Sequence, residues 1–270
     1  MRILFPFFLL LFSFSSFAAT VDTFEVFSTV MNKQIKNIVI KPVSYEAEEQ
    51  TFPTVYLLHG AFGNHKDWLT KVPDLQAYAD QHEMIIVCPD GGYNTWYFDS
   101  PIDPSMQYET YVAKELVAAV DSQYRTQPLK AKRAITGLSM GGHGALYLCF
   151  RHQDTFGAAG SMSGGVDLRP FPNNWNIKDR IGTYAAHPER WENNSVTNLL
   201  YLLNGETPPM IIDCGVDDFF YQVNARLHDK MVERNIPHDY IERPGEHNWA
   251  YWENAVQYQL LFFDGFFNRE

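Results

Sequence analysis

The chain has 270 residues, 46% of them hydrophobic and 15% aromatic, enough to enclose one substantial core, and it fits a single domain better than two. Its net charge of −11 repels polyanions, which sets nucleic acid aside as a partner and favours an uncharged ester or neutral glycan. No segment combines low hydrophobicity with the charge excess of a disordered tail.

Residues 1–18 have the pattern of a secretory leader. Arg2 precedes an apolar run from Ile3 to Phe14, and Ser16-Phe17-Ala18 forms a small-x-small site that predicts cleavage after Ala18. The run is shorter than the ~20 residues of a spanning helix. No cysteine follows the site to take a lipid, so export to the periplasm or the medium is expected, without stable membrane insertion. The mature chain, 19–270, reads as one α/β domain. Val21 to about Tyr45 alternates in the manner of an antiparallel hairpin. Short apolar runs at Pro53–His59, Met84–Cys88, Arg133–Thr136, Gly157–Met162, Pro209–Ile212 and His238–Glu242 predict further strands. Between them, helices are predicted around Asp74–Gln81, Gln107–Asp121, Gly141–Phe150 and Phe219–Glu233, with a final aromatic helix at Trp249–Phe267. Short strands alternating with helices predict a mostly parallel sheet covered on both faces. Residues 166–206 break this rhythm and are rich in Pro, Asn and Trp, as an insertion or cap over the active-site end of the sheet would be. The cysteines Cys88, Cys149 and Cys214 sit in apolar settings and read as buried thiols. No Cys/His spacing of metal type is present, and no cofactor is expected.

Gly137-Leu138-Ser139-Met140-Gly141 is the strongest chemical signal. A G-x-S-x-G pattern between a strand and a helix marks a turn so sharp that side chains at the glycines would strike neighbouring backbone. Such a turn lifts the serine hydroxyl to the N-terminus of a helix, where developing negative charge is favoured. Acyl transfer also needs two N–H donors for the tetrahedral oxygen. Met140, next after the serine, offers one, and Ala61, in the turn after Pro53–His59, is placed to offer the other. His59 ends a strand and reads as structural. A serine needs a base, and the base needs an orienting carboxylate. Of the histidines after Ser139, only His247 lies in a loop after the last predicted strand. Asp217 and Asp218 both follow the Pro209–Ile212 strand closely enough to reach that loop, whereas Asp213 is still within the strand. Trp96, Tyr97 and Trp175 are rings on which a sugar or aryl group could stack.

With these residues in place the chain resembles the esterase D-like family, which includes S-formylglutathione hydrolases, small-ester and feruloyl esterases and mycolyltransferases of the antigen 85 type. The resemblance runs from about Val55 to Trp252. It is carried by LLHGAFGN (57–64), PDGGYNTWYFDSP (89–101), YETYVAKELV (108–117), GLSMGGHGAL (137–146), DCGVDDFF (213–220) and PGEHNWAYW (244–252). It implies the α/β-hydrolase fold, with Ser139 as nucleophile, Asp218 as acid, His247 as base, and the backbone N–H groups of Ala61 and Met140 as oxyanion donors. NTWYFDSP and HNWAYW look closer to the exported branches of the family. The implied activity is hydrolysis of short-chain, acetyl or feruloyl esters through an acyl-enzyme. The rival expectations are acyl transfer of the mycolyltransferase type and a glycan-binding relative without chemistry. Residues 166–206 match none of these motifs and are where substrate choice is expected to reside.

Overall fold

The computed structural model describes residues 18–46, 49–203 and 205–269. The expected leader, up to residue 17, lies outside them. Eight strands form one sheet in the order β1-β2-β4-β3-β5-β6-β7-β8. The hairpin β1 (Thr20–Ser28) and β2 (Lys33–Lys41) is antiparallel and joins the rest through an antiparallel pairing with β4 (Ile85–Pro89). From there β3 (Thr54–Leu58), β5 (Arg133–Gly137), β6 (Ala158–Met162), β7 (Met210–Gly215) and β8 (Asp239–Arg243) run parallel.

The central strands are buried on both faces, which explains why they read as unbroken apolar runs. Successive side chains still alternate between two cores. Tyr56, Leu58, Val87, Ile135 and Ile212 face one, while Val55, Leu57, Ile86, Ala134 and Ile211 face the other. On the second face lie α1 (Asp67–Lys71), α2 (Leu75–Gln81) and α9 (Trp249–Phe267). The first face is covered by α3 (Tyr108–Thr110), a π-helical stretch (Tyr111–Leu116), α4 (Val117–Gln123), α5 (Met140–Arg151) and α8 (Tyr221–Glu233). Each large apolar side chain sealed in these layers contributes on the order of 1.5–3 kcal/mol.

Residues 166–206 carry α6 (Lys178–Ile181) and α7 (Pro188–Asn194) and then two 3₁₀ turns. This segment packs Val166, Leu168, Ile181, Trp191 and Leu199 into the first core and covers the outer side of α5, so that α5 is buried almost all round. Cys88, Cys149 and Cys214 are buried free thiols, and burial pushes the pKa of each up. Among the described residues no helix is long and apolar enough to cross a membrane.

Register decides what meets at the C-terminal edge of the sheet. Leu58 pairs with Gly137, so the turns that follow β3 and β5 lie side by side. Gly215 pairs with Arg243, which does the same for the turns after β7 and β8.

Candidate active site

Ser139 sits between β5 and α5 with φ 54°, a left-handed conformation that is rare for a residue with a side chain and costs on the order of 1 kcal/mol or more. Its neighbours explain how the turn is held. A Cβ on Gly137 would lie 2.6 Å from the Leu58 carbonyl oxygen, and one on Gly141 would lie 2.5 Å from the same atom. Only bare glycines allow the turn to press against β3. The Ser139 N–H donates to the Met162 carbonyl at 2.9 Å, and the His143 N–H donates to the Ser139 carbonyl at 3.0 Å.

The Ser139 hydroxyl lies 2.9 Å from His247 Nε2. His247 Nδ1 lies 2.8 and 3.0 Å from the two carboxylate oxygens of Asp218, whose side chain is fully buried. A carboxylate can only accept, so Nδ1 carries the proton and Nε2 is free to accept from the serine. Asp218 also accepts the Phe220 N–H at 2.7 Å. Asp217, next to it, is exposed and reaches the histidine loop only through its N–H, which donates to the Gly245 carbonyl. Asp213 points elsewhere, accepting from Arg243 and Tyr251. The imidazole of His247 is enclosed by Phe219, Phe220 and Trp252, with ring centroids 4.1, 5.4 and 4.8 Å away.

The loop after β3 runs against this serine. A Cβ on Gly60 would stand 3.4 Å from that of Ser139. Among the described residues the N–H groups of Ala61 and Met140 donate to no backbone carbonyl, which leaves both without a partner of that kind beside Ser139. The loop is braced from below by His59. Its Nε2 accepts the Gly91 N–H at 2.8 Å, so its proton is on Nδ1, which donates to the Gly60 carbonyl at 2.7 Å. Burial lowers the pKa of this histidine, with the bond to Gly60 opposing in part. The Phe62 N–H donates to the Tyr93 carbonyl and fixes the far end of the loop.

The resulting cleft, of about 170 Å³, is lined by Ser139 and His247 with Phe62, Trp175, Phe219 and Trp249 as aromatic walls. Of the three rings expected to stack on a substrate, only Trp175 lines it. Trp96 and Tyr97 are 1% and 0% exposed and have no free face, which corrects that expectation. Tyr97 fills the space left by Gly91 and Gly144, and Trp96 packs against Gly165. Sequence reasoning missed Phe62, Asp67, Phe219, Trp249 and Trp252 as lining residues. All but Asp67 fall inside the motifs quoted above, but nothing in a motif says which way a ring points.

Comparisons with known proteins give the family and the fold. The family model described as "Putative esterase" matches residues 28–263. An acetyl esterase of Caldicellulosiruptor saccharolyticus is 24% identical over 253 residues, 85% of this chain and 92% of that one. An esterase of Mycobacterium tuberculosis is 34% identical over 246 residues, 77% of this chain, and this chain spans about half (51%) of that longer protein. A solved ferulic acid esterase superposes with a TM-score of 0.79 at 28% identity, covering 94% of this chain and all of the other (100%). The fold is that of the α/β-hydrolase-type esterases.

Proposed function

The chain belongs to this esterase family, and from that premise we propose that it is an exported serine carboxylesterase acting on short-chain, acetyl or feruloyl esters. The observation that carries the reading is the hydrogen-bonded line from Ser139 Oγ through His247 to Asp218. In this reading Ser139 attacks the ester carbonyl carbon while His247 Nε2 takes its proton. The Asp218 carboxylate keeps the imidazole oriented and stabilises the charge it gains. The carbonyl oxygen, now an anion, is held by the N–H groups of Ala61 and Met140 at the start of α5. The tetrahedral adduct collapses as His247 returns the proton to the departing alcohol, leaving an acyl group on Ser139. Water, deprotonated by the same His247, then releases the acid and restores the serine.

The size of the cleft favours a small acyl group over a long chain. The acetyl esterase and ferulic acid esterase relatives support the choice of acyl groups to try first. The test is hydrolysis of p-nitrophenyl acetate, p-nitrophenyl butyrate and methyl ferulate by the mature protein and by Ser139→Ala. The reading expects turnover that falls by roughly 10⁴-fold or more in the variant. A folded protein that turns over none of them, or a variant that keeps its rate, contradicts it. Export is checked by the N-terminus of the protein outside the cytoplasm, which is expected at Ala19.

A further inference from the structure

Among the described residues, Asp67 is the one titratable side chain besides His247 that lines the cleft. It opens α1, just beyond the loop that carries Ala61. Its two hydrogen-bond donors are neutral groups of one residue, the Asn64 N–H at 3.3 Å and the Asn64 side-chain amide at 3.0 Å. Gly63 permits its approach: a Cβ there would fall 2.3 Å from Asp67 Oδ2 and 3.1 Å from the Gly60 carbonyl oxygen. The carboxylate therefore lies against the loop that holds an oxyanion donor. A negative charge in that place opposes the transition state on electrostatic grounds. Bracing uses both oxygens of Asp67, Oδ2 for the Asn64 N–H and Oδ1 for the Asn64 side-chain amide, and each oxygen keeps a further lone pair for another donor. The rest of the lining is apolar or aromatic apart from Ser139 and His247, so a carboxylate there bears on what the cleft accepts.

We propose that Asp67 sets the specificity of this cleft: its carboxylate accepts a hydrogen bond from a hydroxyl on the substrate and turns away esters that bear a carboxylate. The proposal rests on the esterase reading above. The hydroxyl belongs either to a phenolic acyl group or to a sugar on the alcohol side, and both present the same donor. Discrimination of this kind combines one attractive and one repulsive element.

The experiment measures kcat/KM in two matched arms. The acyl arm compares the methyl esters of cinnamate, 4-hydroxycinnamate and 4-carboxycinnamate. The alcohol arm compares cyclohexyl acetate with mono-acetylated glucose and mono-acetylated glucuronate. In one arm the wild-type protein is expected to prefer the hydroxylated ester over the bare one by roughly tenfold or more, and to disfavour the carboxylated ester by a similar factor. The arm that shows this identifies the source of the hydroxyl. In Asp67→Asn both ratios move towards one, and Asp67→Glu restores rejection of the carboxylated ester. Asp67→Ser, which keeps an acceptor for the Asn64 N–H, gives the same ratio test if Asp67→Asn does not fold. Unchanged ratios in the uncharged variant, whatever its absolute rate, reduce Asp67 to a brace for Asn64 and overturn the proposal. Wild-type protein that hydrolyses the bare esters but shows flat ratios overturns this proposal alone. Wild-type protein that hydrolyses no ester overturns the esterase reading as well.

Discussion

Asp217 and Asp218 are adjacent carboxylates in different environments. Asp218 is sealed beside His247 and takes hydrogen bonds from it and from the Phe220 N–H, while the side chain of Asp217 stands in solvent. Replacing Asp218 with alanine leaves the imidazole unoriented and its charged form unstabilised, and kcat is expected to fall by roughly 10³–10⁴-fold. Asp217→Ala is expected to change it by no more than a few-fold. Initial rates on p-nitrophenyl acetate separate the two, and equal losses would contradict the assignment. Strand position offered both residues and the family resemblance pointed to Asp218; the turn after Gly215, which exposes Asp217 and buries Asp218, puts the carboxylate of Asp218 against His247. The rings show the opposite limit. Trp96 and Tyr97 stand out as sequence features, yet their faces are covered by packing against Gly165 and Gly144, from distant parts of the chain, as well as the nearby Gly91. Contacts of that range leave no local pattern.

At the scale of elements, the turn between β5 and α5 was legible because its glycines are dictated by local sterics, which sequence displays. Gly141→Ala would drive a Cβ to 2.5 Å from the Leu58 carbonyl oxygen and force β3 and α5 apart. Overpacking of this kind costs about 1–3 kcal/mol, and the melting temperature should drop by several degrees, with activity falling alongside it. An unchanged melting temperature would show that the turn has room to spare. The helix expected at Gln107–Asp121 is found as α3, a π-helical stretch and α4. In α3, Glu109 is buried, a position where amphipathic spacing would not put a carboxylate. Burial opposes its ionisation, but hydrogen bonds from His152, Arg151 and Tyr147 outweigh this and hold its pKa down to about 2, against an ordinary 4.5. The ionised group stabilises the fold by on the order of 3 kcal/mol at most. Because the folded pKa is the lower one, that stability is present in full above pH 4.5 and is lost as pH falls towards 2. Glu109→Gln is therefore expected to lower the urea midpoint clearly at pH 7, with the gap to wild type closing at the acid end. A constant gap would contradict the pairing.

Across the whole molecule, alternation of short apolar strands with helices made the architecture readable, since two-sided burial leaves continuous apolar runs. Residues 166–206 were less readable, because their helices are short and their apolar residues answer to α5 rather than to a period of their own. That segment also touches His143, whose Nε2 bonds to the Asn194 carbonyl at 2.8 Å. Burial lowers the pKa of His143 to about 4, with the bond to Asn194 opposing in part. Its folded pKa lies below the ordinary 6.5, so the unfolded chain binds the proton first. The contribution is complete above pH 6.5 and is lost as pH falls to about 4, by about 1.4 kcal/mol per pH unit within that window. Melting temperature should decline over this range, and less steeply in His143→Phe, which suits the aromatic surroundings of Trp96, Phe98 and Tyr147. Parallel declines in the two proteins would assign the acid sensitivity to other groups.

All of the chemistry proposed here passes through one hydroxyl. The most direct measurement is the mass of the mature protein, and of its peptides, after reaction with a fluorophosphonate that traps activated serines. A single adduct on the peptide that contains Ser139, absent from Ser139→Ala and much slower to form in His247→Ala, is the expected result. An adduct on another residue, or one that persists in Ser139→Ala, would contradict the assignment of the nucleophile.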